Sequence, residues 1–211
     1  MASKSIDEAK IQGLNVGVYG TQGSGKTEMV KHLARTKFKA PFVITPHLHD
    51  FQNVLCYLYI TKYNQDMEEL FKHLIRLAKA GDIDAVIVDE ADMFFQNNHA
   101  IKEYATDLFS NHRHYPEGRG VSLIFVSRRP QELPTKFVES CPFNIVYKVE
   151  GENVKKKFNG IREGFGDTLV SDDFKYKGYE YYLKEIGEAP VLCAPVPMKK
   201  ETKTEAPIRY D

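Results

Sequence analysis

The sequence lacks the features that mark secreted, metal-binding and membrane-spanning proteins. It has no tryptophan, and its three cysteines, Cys56, Cys141 and Cys193, include no CxxC pair. This spacing indicates neither a zinc site nor a disulfide framework, and so sparse a set is typical of a reducing compartment. Residues 1–13 carry no hydrophobic signal core, and no apolar run approaches the ~18 residues of a membrane span. We therefore expect an intracellular, cytoplasmic protein without a transmembrane segment.

The chain also lacks net charge, because 29 basic residues balance 29 acidic ones. Such a balance gives no overall attraction to nucleic acid or to an anionic membrane, although it leaves room for local basic patches. At 211 residues, of which 42% are hydrophobic, the chain is long enough for one compact domain with a sizeable core, or for one domain plus a small appendage.

Short apolar runs alternate with amphipathic segments along most of the chain. Runs too short for helices predict strands at residues 14–19, 42–45, 85–88, 121–126 and 143–149. Helical spacing predicts helices over residues 26–36, 67–78 and 101–109, whereas residues 55–60 fit either a strand or a helix. This alternation predicts an α/β fold with a mostly parallel central sheet covered on both faces.

The pattern changes after residue 149. Residues 179–183 and 190–193 predict the two arms of a C-terminal β-hairpin, turned near Gly187. Residues 196–211 mix charges, threonines and prolines, which predicts either a flexible tail or an arm that orders on a neighbouring subunit. We therefore expect a single domain over residues 1–195, followed by this tail.

The first predicted strand runs into a glycine-rich segment with the spacing of a phosphate-binding P-loop. Its residues are Gly20, Thr21, Gln22, Gly23, Ser24, Gly25, Lys26 and Thr27, and Glu28 follows in the next helix. The glycines let the backbone aim its N–H groups at phosphates, and the helix adds its positive N-terminal end. We expect Lys26 to reach the outer phosphates and the hydroxyl of Thr27 to bind Mg²⁺. No NKxD segment for guanine is present, which favours ATP over GTP.

The predicted strand at residues 85–88 ends in two acids, Asp89 and Glu90. The carboxyl ends of such strands open at the ligand edge of a sheet. Asp89 can therefore hold Mg²⁺, and Glu90 can take a proton from an attacking water. A water-activating glutamate favours hydrolysis over transfer to a small acceptor. We interpret Asp92 as a solvated or loop-capping acid.

Several arginines follow the acids in the sequence. Ser127 and Arg128 end the fourth predicted strand, where a polar side chain can sense the γ-phosphate; alternatively, Arg128 and Arg129 begin a solvated loop. Arg113 lies on a preceding loop that cannot easily reach its own nucleotide but could reach across a subunit boundary to stabilise the transferred phosphate. Arg119 is the second candidate for this role, and solvated surface charge is the alternative for both.

The P-loop, the segment Val88-Asp89-Glu90, the pair Arg113-His114 and the turn at residues 125–130 together resemble the HerA–FtsK superfamily of DNA-translocating ATPases. Within it, the short single-domain chains are similar to the genome-packaging ATPases of tailless, membrane-containing viruses. The resemblance covers residues 13–148. Arg128 departs from the pattern, since members often carry glutamine after the fourth strand.

This resemblance implies a three-layer, RecA-like P-loop NTPase domain of the ASCE type, with ATP and Mg²⁺ as cofactors. It implies a hexameric ring, an arginine supplied in trans, which Arg113 matches, and double-stranded DNA threaded through a central pore. For a packaging ATPase it further implies capsid or membrane-vertex partners, and a location in the host cytoplasm or on the virion.

Two other functions stay open at this stage. One is a P-loop ATPase for phage or protein assembly, similar to Zot, although such proteins usually carry a transmembrane segment. The other is a small-molecule kinase, which would need an acceptor-binding lid. The letters at residues 89–92 also spell the DEAD motif of RNA helicases, but those enzymes need a second RecA-like domain for which this chain has no room.

Two segments are candidates for DNA contacts. Lys155, Lys156 and Lys157 form a compact basic run, and Phe94 and Phe95 form an aromatic pair just past the acids. Lysine runs are usually solvated faces, and phenylalanine pairs are usually core or interface residues.

Overall fold

The computed structural model describes residues 5–61, 67–95, 103–116, 118–171, 174, 178–197 and 206–210. Within these residues the chain forms one sheet with helices on both faces. The strands are β1 (Asn15–Tyr19), β2 (Pro41–Thr45), β3 (Tyr57–Ile60), β4 (Ala85–Val88), β5 (Ser122–Ser127), β6 (Phe143–Val146), β7 (Tyr181–Glu185), β8 (Val191–Cys193) and β9 (Ile208–Arg209). The helices are α1 (Lys26–Thr36), α2 (Glu68–Ala80), α3 (Glu103–Asn111), α4 (Thr135–Glu139), α5 (Glu152–Ile161) and α6 (Phe165–Val170).

The sheet has the strand order β8-β7-β6-β1-β5-β4-β2-β3-β9. From β6 to β9 all neighbours are parallel, whereas β7 and β8 are antiparallel and form the predicted C-terminal hairpin. Strand β5 lies between β1, which leads into the P-loop, and β4, which leads into the acids. This insertion is the ASCE arrangement, so the predicted fold is confirmed. The ambiguous segment at residues 55–60 contains the strand β3.

Continuous apolar strands supply both faces of the sheet with core residues. In β5, Leu123 and Phe125 belong to the core under α2 and α3, while Ile124 and Val126 belong to the core under α1. Side chains of a strand point alternately to opposite faces, so the middle of a strand buried on both sides is apolar at successive positions. This explains why residues 123–126 of β5 form an unbroken apolar run.

The helices α5 and α6 were not predicted from the sequence. The two helices pack closely at Gly166 of α6. A Cβ placed on this glycine would lie only 2.0 Å from the carbonyl oxygen of Lys155 in α5. Val154 and Phe158 bury one face of α5 in the core. The basic run at residues 155–157 is therefore part of a packed helix rather than a loop.

The end of the chain also differs from the expectation of a flexible tail or an inter-subunit arm over residues 196–211. Residues 206–210 lie on the sheet of their own chain, where Ile208 and Arg209 pair with β3. The ring of Tyr210 packs against Phe42 with 5.5 Å between centroids, and its hydroxyl lies 2.5 Å from Nε2 of His73. The segment thus covers the edge of β3 that the parallel sheet would otherwise leave open.

Candidate functional site

The P-loop connects β1 to α1 at the carboxyl edge of the sheet. Gly23 and Gly25 adopt left-handed φ angles of 73° and 101°, which other residues rarely tolerate. The loop is fixed at its base, since the N–H of Gly20 donates to the carbonyl of Ser127 at 3.4 Å and the N–H of Thr21 donates to that of Lys148 at 3.1 Å. Helix α1 begins at Lys26, so its positive end faces the loop.

Lys26 is held inside this loop. Its side-chain Nζ donates to the backbone carbonyl of Thr21 at 2.8 Å. Burial lowers the pKa of Lys26, and the nearby carboxylates of Glu90 and Asp89 oppose that shift. The ammonium group therefore already sits between the loop and the acids, where the outer phosphates of a nucleotide would lie. Thr27 is the next residue of α1 and is half-buried.

Asp89 follows β4 and is 5% exposed. The hydroxyl of Thr45 donates to its Oδ2 at 2.9 Å, and the N–H of Glu90 donates to its Oδ1 at 3.1 Å. Burial raises the pKa of Asp89 to about 6, partly offset by the hydrogen bond from Thr45 and reinforced by the charge of Glu90. The carboxyl group is thus charged at neutral pH, with its orientation fixed by two donors.

Glu90 lies beside two basic side chains, Arg128 and His47, each of which follows a strand that neighbours β4 in the sheet. Its Oε2 accepts from Nε of Arg128 at 2.9 Å and lies 2.8 Å from the Nη2 atom, while its Oε1 lies 3.8 Å from Nε2 of His47. Glu90 also has a left-handed φ of 54°, which is uncommon for a residue other than glycine and typical of functional sites. Sequence reasoning identified Glu90 and Arg128 separately but missed both their pairing and His47.

Ser127 ends β5 directly beside the P-loop, where it pairs in register with Tyr19. The side chain is fully buried, and its Oγ accepts from the N–H of Arg129 at 3.0 Å. The hydroxyl thus shapes the turn that presents Arg128. Arg129 instead points to Glu132 at 3.3 Å on the surface.

Arg113 lies at the opposite edge of the sheet from the P-loop. It belongs to a short 3-10 turn, His112–His114, between α3 and the start of β5. Its backbone lies against Gly120, which in turn approaches Gly13 before β1. Because β5 has 6 residues, about 20 Å of strand separate this turn from the P-loop edge. Arg113 is exposed and cannot serve the site of its own chain.

His112 has a structural role in the same turn. Its ring is 1% exposed, and Nδ1 lies 2.6 Å from the carbonyl oxygen of Val121. Burial lowers the pKa of His112. A neutral imidazole that donates to this carbonyl fixes the turn at the start of β5.

The basic run in α5 is largely engaged within the chain. Lys155 pairs with Asp167 at 2.8 Å, and Lys157 donates to the carbonyl of Leu133. Burial lowers the pKa of Lys157. Lys156 is exposed. Of the aromatic pair, Phe95 is 4% exposed within the aromatic core.

The oxygen donors at the site fit a magnesium ion that is shared with phosphates. The described residues contain no group of three or more His, Cys, Asp or Glu side chains arranged to hold a metal by themselves. Mg²⁺ in nucleotide sites usually keeps several waters and uses one or two protein oxygens besides the phosphates. The hydroxyl of Thr27 and the carboxylate of Asp89 are donors of that kind.

Comparison with known proteins agrees with this geometry. Residues 16–149 match the family described as ATPase family associated with various cellular activities (AAA). No curated protein matches the chain. No helix among the described residues is long and apolar enough to span a membrane.

Solved structures share the fold at low sequence identity. The genome packaging NTPase B204 from Sulfolobus turreted icosahedral virus 2, in complex with ATP-gammaS, matches with a TM-score of 0.68 and 16% identity over 90% of this chain and 100% of that one. B204 from Sulfolobus turreted icosahedral virus, a DNA-packaging ATPase, matches with a TM-score of 0.67 and 17% identity, covering 89% and 100%. The cytoplasmic domain of the type VII secretion ATPase EccC from Thermomonospora curvata matches with a TM-score of 0.57 and 16% identity, covering 91% and 26%.

Proposed function

Because the chain belongs to the AAA family of ATPases, we propose that it is a motor that hydrolyses ATP to translocate double-stranded DNA, and that its task is to package a viral genome into a capsid. The observation that carries this proposal is the likeness to B204, which covers 100% of that chain and about 90% of this one, a larger share than the AAA match over residues 16–149. A packaging motor of this kind would work in the host cytoplasm, with capsid or membrane-vertex proteins as partners.

In the proposed reaction, the P-loop residues Gly20–Glu28 bind the triphosphate. Lys26 now donates to the neutral carbonyl of Thr21. On nucleotide binding it leaves this carbonyl and donates to the outer phosphates, because a charged acceptor forms a stronger hydrogen bond than a neutral one. Mg²⁺, held by Thr27 and Asp89, would neutralise the charge that develops on the phosphates.

Glu90 acts as the base that takes a proton from the attacking water. Arg128 now lies 2.8–2.9 Å from Oε2 of Glu90, and this ion pair makes the carboxylate a weaker base until Arg128 leaves. An incoming γ-phosphate offers Arg128 a more highly charged partner in the same place, so ATP binding itself can free the base. Arg128 then stabilises the transferred phosphate, with Ser127 holding the turn in place.

The second half of the active site comes from a neighbouring subunit in a ring, which we propose to be a hexamer. The exposed Arg113 supports this, because its position at the far edge of the sheet directs it away from its own nucleotide. An arginine supplied in trans stabilises the transition state and makes hydrolysis depend on assembly. Arg119, on the same exposed loop, is the alternative donor.

DNA contacts are proposed for the basic run of α5, with Lys156 as its exposed member. Lys155 and Lys157 have partners within the chain, so their contribution would be smaller. A phosphate contact contributes to affinity mainly by releasing counterions and is therefore measured by its salt dependence.

The likeness to the type VII secretion ATPase EccC favours a role in secretion as a second candidate function. Steady-state hydrolysis of ATP with and without linear double-stranded DNA separates the two. The DNA motor predicts faster hydrolysis with DNA, and Glu90→Gln is expected to bind ATP without hydrolysing it. Hydrolysis that DNA leaves unchanged would argue against the DNA motor, and phosphate transferred to a small acceptor would argue against both.

A further inference from the structure

A cavity of about 330 Å³ lies beside the P-loop, and the proposed reaction does not use its outer wall. One side of the cavity is the loop and the first turn of α1, residues 23–28. The other side is formed by residues that follow β6 and flank the C-terminal hairpin: Tyr147, Tyr179, Pro195 and Val196. The hairpin region thus closes over the loop from the side opposite the acids.

The position of the cavity indicates which part of a nucleotide it would take. Asp89, Glu90 and Arg128 mark the end of the site where the terminal phosphate lies, and none of them lines the cavity. The cavity instead follows the loop past Thr27 and Glu28. A nucleotide with its terminal phosphate at the acids would extend its base in this direction.

The two tyrosines differ in exposure. Tyr147 is 1% exposed and packs against Tyr181 with 5.7 Å between ring centroids. Tyr179 is 44% exposed and lies across the loop, since a Cβ on Gly25 would be 3.0 Å from its Cδ1 atom. Tyr147 is therefore a buried wall of the cavity, whereas Tyr179 lines the cavity with a partly exposed side chain.

Tyr179 also has a backbone conformation that is unfavourable for tyrosine. Its φ is 68°, in the left-handed region where glycine is normally found, and it directly follows Gly178 at 106°. Strained residues of this kind persist mainly at functional sites, where the side chain is needed in that position.

We propose that Tyr179 is the stacking platform for the nucleobase, and that the site selects a purine by the area of its ring face. Pro195 and Val196 complete the apolar enclosure. This assignment rests on the proposed binding of a nucleotide by the P-loop. Base stacking on an aromatic side chain tolerates either purine and favours the larger ring system over a pyrimidine.

Calorimetric titration with ADP, CDP and inorganic pyrophosphate tests this assignment, because pyrophosphate has no base. For Tyr179→Ala, ADP is expected to bind about tenfold more weakly, with the preference over CDP reduced and pyrophosphate binding unchanged. Tyr179→Phe, which keeps the ring, should bind ADP like the unchanged protein. Tyr179→Gly should lose ADP affinity to the same extent without any loss of thermal stability.

The controls separate this proposal from the one it rests on. Lys26→Ala should weaken ADP and pyrophosphate alike, since it removes a phosphate contact. Equal losses of ADP and pyrophosphate in Tyr179→Ala would make the ring a support for the loop and overturn the base platform. Unchanged ADP binding in that variant would overturn it too. If the unchanged protein binds none of the three ligands, the nucleotide site itself fails.

Discussion

Two nitrogen atoms of Arg128 contact the same carboxylate oxygen of Glu90: Nε lies 2.9 Å and Nη2 lies 2.8 Å from Oε2. Arg128 directly follows β5 and Glu90 lies two positions after β4, and these two strands are neighbours in the sheet although the residues are 38 positions apart in the sequence. An oxygen that accepts from a guanidinium is a poor acceptor for a proton from water, which leaves only Oε1 of Glu90, 3.8 Å from Nε2 of His47. We propose that the pair is a resting arrangement that opens before hydrolysis.

The first prediction concerns Arg128. If its guanidinium moves to the γ-phosphate, Arg128→Ala should lower the single-turnover rate of ATP hydrolysis about 100-fold, as expected for the loss of a charged donor at the transferred group. Arg129→Ala is the matched control, because Arg129 faces Glu132 on the surface. Hydrolysis by Arg128→Ala that is as fast as that of the unchanged protein, or faster, would mean that Arg128 only restrains the base.

The second prediction concerns Arg113. Neither Arg113→Ala nor Lys26→Ala alone should hydrolyse ATP, but mixed rings should recover part of the activity. In such rings some sites combine an intact P-loop with an intact arginine from the neighbour. The rate of hydrolysis is measured across mixing ratios, with mixed assembly confirmed separately. Arg119→Ala, which removes the alternative donor, should hydrolyse ATP without mixing. No recovery in confirmed mixed rings of Arg113→Ala and Lys26→Ala would contradict the trans role of Arg113.

The third prediction concerns the pH dependence of stability. The pKa of Asp89 rises from an ordinary 3.8 to about 6 on folding, so the folded state binds its proton more tightly. This tighter proton binding stabilises the folded state fully below the unfolded-state pKa of 3.8. The stabilisation is lost as the pH rises through the folded-state pKa of about 6. Relative to Asp89→Asn, the unchanged protein should lose about 2 kcal/mol of unfolding free energy between roughly pH 4.5 and pH 7 in the absence of metal.

Urea unfolding of both proteins in a chelating buffer measures this difference. The affinity for ADP in the presence of Mg²⁺ should show the opposite trend and weaken below about pH 6, because a protonated Asp89 cannot bind the ion. A stability difference that does not change with pH would contradict the shifted carboxyl group.

The fourth prediction concerns Gly17 in the middle of β1. A Cβ at this position would lie 2.1 Å from the hydroxyl oxygen of Tyr19, whose ring crosses over the glycine. Gly17→Ala should therefore destabilise the fold by about 1–3 kcal/mol. Gly160→Ala in α5 meets nothing within 4 Å and should stabilise it by about 0.5–1 kcal/mol. Thermal unfolding midpoints of Gly17→Ala and Gly160→Ala measure this difference. Equal midpoints would rule out a steric clash between residue 17 and the Tyr19 ring.

Local sequence patterns were sufficient for the parts of the fold that depend on local chemistry. The P-loop, α1 and β4 could be predicted because glycine spacing, helical spacing and apolar runs are read from neighbouring residues. Helix α5 also has apolar residues at helical spacing, Val154, Phe158 and Ile161. The three consecutive lysines within it favoured a solvated DNA contact over a packed helix. Strand β9 has only two residues, so nothing local marks its pairing with β3.

The site shows the same division. Asp89 and Glu90 were predictable from the strand that precedes them, because strand ends define the ligand edge. The contact between Glu90 and Arg128 depends on β4 and β5 being neighbours, which no local pattern encodes. The position of Tyr179 beside the P-loop depends on the hairpin returning to β6, and its strained φ is visible only in three dimensions.

The central claim is that hydrolysis at this site moves the protein along double-stranded DNA, and displacement of a third strand tests it most directly. A labelled oligonucleotide is bound as a triplex to linear duplex DNA, and its release is followed after ATP is added to the assembled protein. Translocation predicts release that requires ATP, is absent with Glu90→Gln, and is delayed in proportion to the distance between the DNA end and the triplex. Active hydrolysis of ATP without release of the third strand would contradict the claim.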